Sequence, residues 1–386
     1  MSYIHDQKLF PASGSAGIAP LIGNLLAKAD IEINGSRPWD IQIHNTQMVP
    51  RVIRQRSLGL GESYMEGWWD CEALDEFCYR ILSAGAEGIA KNQLTLALQW
   101  LKCLLHNRQS TQRAPKVAKQ HYDLGNDLFA AMLGRTMAYS CGYWKDAKTL
   151  DEAQDAKLDL VCRKLGLEPG MTLLDIGSGW GCLLEHAAKH YGVTGTGVTL
   201  SKEQAELARA RCKGLPVNIV LQDYRKLTGH FDRIASIGMF EHVGRRNYAT
   251  FMRTASRLLK DDGLLLLHCI GENKSTLSHD PWIEKYIFPN GELPSIKQFA
   301  DAVEGVFVVE DMHNFGPDYA RTLNAWDANF QRHWQELKPH YDENFYRMWR
   351  YYLNICAGAF RARDTQLWQW VLTKPAQRTE SYCAPR

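Results

Sequence analysis

The sequence predicts an α/β fold: a parallel sheet with helices on both faces, preceded by a smaller, mainly helical region. Three observations carry this prediction. From about residue 122 strand-like and helix-like patterns alternate to the end of the chain, as in successive β-α-β units. A glycine-rich turn, LLDIGSGWG (173–181), joins one of these strands to the next helix. A polar stretch, HNRQSTQRAPKVAKQH (106–121), carries Arg108, Arg113, Lys116 and Lys119 and no acid, and reads as a linker. The expected organisation is an N-terminal domain over 1–105, a basic linker over 106–121 and a larger domain over 122–386.

The elements follow in order. IEIN (31–34) and DIQIHN (40–45) alternate apolar and polar residues about the turn-like GSRPW, which predicts a hairpin. The aromatic-rich LGLGESYMEGWWDCEALDEFCYRIL comes next. DEAQDAKLDLVCRKLG (151–166) is an amphipathic helix stopped by Gly166, TLLDI (172–176) a short buried strand, and CLLEHAAKHYG (182–192) a helix stopped by Gly192. GTGVTL (195–200) is the next strand, and SKEQ (201–204) offers a capping box from Ser201 to Gln204. VNIVLQD (217–223), FDRIASIGM (231–239) and GLLLLHCIG (263–271) read as further strands. Aromatic-rich helices are expected at 320–337 and 344–363, and FVVEDMHNFG (307–316) and QLWQWVLT (366–373) supply the last strands.

Composition excludes several classes. A chain of 386 residues is long enough for about two domains. Apolar residues make up 45% and charged residues 23%, as in an ordinary globular protein. A net charge of +2 argues against a nucleic-acid partner. The N-terminus has no basic segment followed by an apolar core, so no signal peptide is expected, and no run approaches the ~18 apolar residues of a membrane span. The 10 cysteines are scattered without a C-x-x-C pair, which points to reduced, cytosolic thiols and away from a zinc ribbon or a disulfide framework.

The glycine turn locates a ligand crevice. Gly177, Gly179 and Gly181 permit close backbone approach, and Asp175 sits at the carboxyl end of its strand, where open α/β sheets bind ligands. The spacing is G-x-G-x-G, not the G-x-G-x-x-G of dinucleotide enzymes. It resembles motif I of class I S-adenosylmethionine (SAM) methyltransferases, which implies a Rossmann-like seven-stranded sheet. One departure stands out: the second strand ends GVTLSKEQ, with Thr199 where such folds place an acid for the ribose, and Gln204 can take that contact. Upstream, YSCGYWKD (139–146) sets Cys141 among Tyr139, Tyr143 and Trp144. By residue type alone that thiol is a nucleophile, a metal ligand or packing.

Taken together, HYDLGNDLF (121–129), YSCGYW (139–144), LLDIGSGWG, GVTLSKEQ, LQDYR (221–225), GMFEHVG (238–244), YIFPNG (286–291) and YYLNICAGAFRARDTQLWQ (351–369) resemble the bacterial cyclopropane-fatty-acyl-phospholipid synthases. LGLGESYMEGWWD (58–70) extends the resemblance into the N-terminal domain. Ser178 stands where the family often has cysteine, at a position that contributes mainly backbone. The resemblance implies transfer of a methylene from SAM to the cis double bond of an acyl chain in a membrane phospholipid. Attack by the alkene leaves a carbocation, and a base then removes a proton from the added methyl so that the ring closes. Such a site must stabilise a cation and exclude water.

The family's base is a bound bicarbonate. By motif match its cage is Cys141, Glu241, His268, Tyr319 and Cys356. On residues alone an acid after a strand also serves as a helix cap, and a histidine or cysteine in an apolar segment also serves as core. SAM contacts carried over in the same way are Tyr139 and Ser140 at the methionine moiety, Asp175, Gly177 and Gly179 along the turn, and Thr199, Leu200 and Gln204 on the ribose side. Asp223 and Tyr224 fall at adenine, and Ile237 and Gly238 beneath the sulfonium. The resemblance further implies a homodimer in the cytoplasm, bound peripherally to the inner face of the membrane. Trp68 and Trp69, with Tyr64 and Met65, are either interfacial anchors or domain packing, and the basic linker either meets anionic headgroups or is a solvated tether. No metal is expected.

Overall fold

A computed structural model describes residues 18–85, 125–276, 280–375 and 381–386. The predicted basic linker and the first four residues of HYDLGNDLF, 121–124, lie outside the described residues. In the N-terminal region helices α1 (Ile18–Lys28), α2 (Met48–Gln55), α3 (Ser57–Met65) and α4 (Leu74–Ser83) surround two short strands, β1 (Gln42–Ile43) and β2 (Trp69–Asp70).

The expected hairpin does not form. Ile33 and Ile41 make a single bridge, and β1 pairs antiparallel with β2 instead. Asp40 is the cause. Its buried carboxylate accepts the N–H groups of Glu32 (2.8 Å) and Arg37 (2.9 Å) and pairs with the Arg37 guanidinium. The segment between the two apolar runs is thereby folded as a loop and cannot continue a ladder.

The main sheet has seven strands: β3 (Thr172–Ile176), β4 (Thr194–Thr199), β5 (Val217–Leu221), β6 (Phe231–Ile237), β7 (Leu259–Glu272), β8 (Val308–Asn314) and β9 (Thr365–Thr373). Their order is β5-β4-β3-β6-β7-β9-β8. The sheet is mixed rather than parallel, because β9 runs antiparallel to both β7 and β8. Periodicity reports that a strand is buried on both faces, not which way it runs. The chain leaves β3 outward through β4 and β5 and returns to β6 on the other side of β3. That reversal opens a crevice at the strands' carboxyl ends.

The remaining helices are α5 (Asn126–Leu133), α6 (Leu150–Lys164), α7 (Cys182–Tyr191), α8 (Lys202–Arg211), α9 (Tyr248–Leu258), α10 (Pro281–Tyr286), α11 (Ile296–Val303), α12 (Gly316–Arg332), α13 (Trp334–Leu337) and α14 (Glu343–Arg361). Thr149 and Glu152 form a reciprocal capping box on α6. Ser201 caps α8 through the Gln204 N–H, but the Gln204 side chain does not reach back. Its Oε1 takes the Thr199 hydroxyl instead, at 2.8 Å.

One core lies on each sheet face: Leu174, Phe251 and Trp370 belong to one, Leu173, Leu184 and Leu266 to the other. A third runs without interruption from Trp69 and Phe77 into Trp326, Trp349 and Tyr351 on α12 and α14. The N-terminal region therefore shares a core with the larger domain. Gly358 on α14 lets α4 approach so closely that an added Cβ would lie 2.6 Å from the Asp75 carbonyl oxygen.

This packing decides the aromatic run of α3 and β2. Trp69 is fully buried against Tyr64 and Phe77, and its indole N–H donates to the Leu60 carbonyl and Ser63 Oγ. Tyr64 and Met65 are buried as well. The Arg347 guanidinium ties the segment to α14 through the carbonyls of Tyr64 (2.6 Å) and Trp69 (2.9 Å). Trp69, Tyr64 and Met65 are thus domain packing, and of the four Trp68, under Arg51, is the one left partly buried. Among the described residues no helix is long and apolar enough to cross a membrane.

Candidate active site

The crevice is built on the turn after β3. Gly177, Gly179 and Gly181 all have positive φ (90°, 51° and 82°), a conformation open to glycine at little cost. A Cβ on Gly177 would also meet the Met239 side chain at 2.8 Å. The N–H groups of Gly177 and Ser178 both donate to the Val198 carbonyl at 2.9 Å, which ties the turn to β4. The resulting pocket is lined by every cofactor contact expected from sequence: Tyr139, Ser140, Asp175, Gly177, Gly179, Thr199, Leu200, Gln204, Asp223, Tyr224, Ile237 and Gly238. It is also lined by His242, the neighbour of Glu241, and by Lys157, Trp180, Met239 and Phe288, which the sequence reading did not single out.

Charges in the pocket are individually fixed. Burial works against ionising Asp223, but the Arg225 guanidinium (2.6 Å) and the Arg225 N–H prevail and hold its carboxyl below the usual range. Asp175 is different. Burial pushes it up to about 7, opposed only by Lys157. Its Oδ1, like Ser178 Oγ, is buried without a hydrogen-bond partner. Burial lowers Lys157, whose Nζ donates to Ser140 Oγ at 2.9 Å, and burial pushes His242 down to about 4.

Lys157 was missed because the α6 segment reads as an ordinary amphipathic helix. The available signal was its phase: Ala153, Lys157 and Val161, four residues apart, share the buried stripe.

Beside the pocket stands an aromatic wall. Tyr139 lies 2.8 Å, hydroxyl to hydroxyl, from Tyr352 and packs on Phe129 and Trp326. Behind it Tyr319 is buried, its hydroxyl pushed up by burial and by Cys141, Tyr139, Glu241 and Cys356. Three of the other predicted cage residues, Cys141, Glu241 and Cys356, therefore lie within electrostatic reach of Tyr319. His268 faces Lys157, Lys164 and His313 instead. Its Nδ1 lies 3.2 Å from Gln369 Nε2, its ring meets Phe315 edge-on, and its buried Nε2 has no partner.

Glu241 is buried on the short helical turn after β6. Its Oε1 accepts the Ile270 N–H at 2.7 Å, while Oε2 is partnerless. Burial outweighs that bond and raises the carboxyl to about 7. The Cys141 thiol is pushed up by burial and donates to the Gly142 carbonyl at 3.1 Å, and Cys356 is pushed up to about 12. Protonated thiols are poor nucleophiles and poor metal ligands. Among the described residues no group of three or more His, Cys, Asp or Glu is placed to hold a metal ion.

A seven-stranded sheet with one reversed strand and a glycine turn over a pocket at its switch point define a SAM-dependent methyltransferase fold. Within that class the chain belongs to the mycolic acid cyclopropane synthetase family, which residues 109–370 match. It is 53% identical over 354 residues to the Escherichia coli cyclopropane-fatty-acyl-phospholipid synthase, covering 92% of this chain and 93% of that protein. It is 34% identical to the Mycobacterium tuberculosis tuberculostearic acid methyltransferase UfaA1, covering 86% of this chain and 82% of that one. The crystal structure of mycolic acid cyclopropane synthase CmaA1 complexed with SAH and CTAB superposes with a TM-score of 0.63 at 36% identity, covering 67% of this chain and 98% of that chain.

Proposed function

We propose that this chain transfers the one-carbon unit of SAM to the cis double bond of an unsaturated acyl chain in a membrane phospholipid and closes a cyclopropane ring. The observation that carries the proposal is the junction of pocket and cage: Tyr139 lines the pocket and its hydroxyl meets Tyr352, whose neighbours are Cys356 and Tyr319. The pocket residues fit SAM. The partnerless Asp175 Oδ1 suits an ammonium, the glycine turn leaves room for main-chain contact, and Asp223 is held ionised toward the adenine side. Thr199, Leu200 and Gln204 would take the ribose, and Ile237 and Gly238 the floor beneath the sulfonium. When bound, SAM supplies an electrophilic carbon.

The rings of Tyr139, Tyr319 and Tyr352 would present π faces to the positive charge that develops on the acyl chain, worth about 0.5–2 kcal/mol each. Their enclosure keeps water from capturing it. The cage also fits bicarbonate, which when bound supplies the base. A carboxylate at Glu241 would repel that anion. With its pKa at about 7, the acid form of Glu241 is available to donate from Oε2, with the Tyr319 hydroxyl as a further donor. Cys141 and Cys356 would contribute mainly through the backbone around them. Peripheral binding at the inner face of the membrane and homodimer assembly belong to the same reading, and vesicle co-sedimentation and sedimentation equilibrium test them.

The deciding experiment incubates the protein with methyl-labelled SAM and vesicles of monounsaturated phospholipid, with and without bicarbonate, followed by mass spectrometry of the acyl chains. Gain of one CH2 with loss of the alkene supports the proposal. A methyl branch, or a methyl with a hydroxyl, would assign a related lipid methyltransferase. No transfer by folded, SAM-binding protein would leave a carrier.

A further inference from the structure

The inner end of the pocket holds two buried opposite charges whose polar atoms are not spent on each other. Lys157 is 1% exposed and Asp175 3% exposed, and both line the pocket. The Lys157 ammonium donates to Ser140 Oγ at 2.9 Å, whereas Asp175 Oδ1 has no hydrogen-bond partner. Among the described residues, Lys157 is the one charge acting on Asp175. The arrangement is rigid. One turn before Lys157, Gln154 donates its amide to the Ser140 carbonyl at 2.8 Å and is itself fully buried. The same helix holds the next stretch of chain through the Tyr143 N–H on the Ala153 carbonyl. Helix α6 thus fixes the height of Ser140 over the pocket and delivers an ammonium beside it.

A buried ammonium is costly unless paired, and so is a buried carboxylate. A ligand group that relieves both must carry a carboxylate and an ammonium close together. An α-amino acid end does this. A phosphate does not, because Asp175 would repel it. We propose that Lys157, together with the Ser140 hydroxyl, receives the carboxylate of the ligand's amino-acid end, whose ammonium the reading above already gives to Asp175. This deepens the SAM reading above and rests on it. It assigns to Lys157 the discrimination between SAM and ligands that share its nucleoside and sulfonium but lack the carboxylate.

The test is calorimetric titration of the full chain with SAM, decarboxylated SAM and 5′-methylthioadenosine, for the wild type and Lys157→Met. Methionine fills the lysine's space without its charge. A charge-assisted hydrogen bond corresponds to a preference of roughly 10- to 100-fold, so the wild type should bind SAM that much tighter than decarboxylated SAM. Lys157→Met should lose this preference while its affinity for 5′-methylthioadenosine, which has no amino-acid end, stays unchanged. A purely structural lysine would weaken all three ligands together, and that result overturns the assignment, as does a variant that keeps the full preference. If Lys157→Met does not fold, the wild-type comparison decides: equal affinity for SAM and its decarboxylated form overturns the proposal. A wild type that binds none of the three overturns the SAM reading itself.

Discussion

Glu241→Gln should make the protein more stable as pH rises while disabling it. The glutamine is isosteric and keeps an oxygen for the Ile270 N–H, which Oε1 now accepts at 2.7 Å. It removes the charge that burial resists. In the folded protein the carboxyl sits at about 7 against an ordinary value of 4.5. Between those two values the unfolded chain has released the proton and the folded chain has kept it, so stability falls as pH rises through the window. Below 4.5 the contribution is fully present, and above 7 it is gone. At about 1.4 kcal/mol per pH unit, the loss is about 3 kcal/mol.

Glutamine has no such dependence. Relative to the wild type, the variant should gain up to about 3 kcal/mol between pH 4.5 and 8, a rise of several degrees in Tm at this chain length. Scanning calorimetry of both proteins across that range measures it. Asp175 titrates in the same window, but it does so in both proteins and drops out of the difference. Two Tm–pH curves that stay parallel would refute the reasoning, because Glu241 would then be ionising normally. Product formation on vesicles should fall at the same time.

Other outcomes follow from the same geometry. Cys141→Ser should retain most product formation, since the thiol is protonated and bonded to its own chain; complete loss with SAM binding intact would show that the sulfur is required. Trp69→Ala removes a fully buried indole and should destabilise by about 3–5 kcal/mol, read as a lowered Tm. If Trp69 instead served the membrane, vesicle binding would fall with Tm unchanged. Gly358→Val should loosen α4 from α14 and lower Tm while leaving the isotherm for 5′-methylthioadenosine intact. Arg225→Met should release Asp223 and weaken binding of all adenosine ligands alike, which titration separates from the selective loss expected at Lys157.

Much of the site was legible in the residue order because its parts are local. The turn LLDIGSGWG needs only its own glycines to bend, and the residues carried over to the pocket sit at strand ends or turns marked by sequence. The strands β3, β4, β5 and β6 fall within a few residues of where their periodicity puts them, because a buried strand must be apolar along its own length. The structure departs from expectation where a distant partner decides. The 31–45 hairpin yields to Asp40, whose carboxylate is worth more to Arg37 and two N–H groups than to a ladder. The reversal of β9 depends on which neighbours it inserts between, β7 and β8, and no repeat in its own nine residues encodes direction.

By itself, then, the amino-acid order determined the α/β class, the glycine turn and the ligand crevice through short-range rules of spacing and conformation, while most residues around that crevice were named by resemblance to a family. Tertiary structure alone decided what the same residue types do once buried. Trp69 became core because α14 covers it. Lys157 became a charge in a pocket because its stripe of α6 faces inward, and Glu241 keeps its proton to near neutrality because solvent is excluded around it. Charge and burial are properties of surroundings assembled from distant parts of the chain, which is why sequence motifs name the residues and only the fold sets their chemistry.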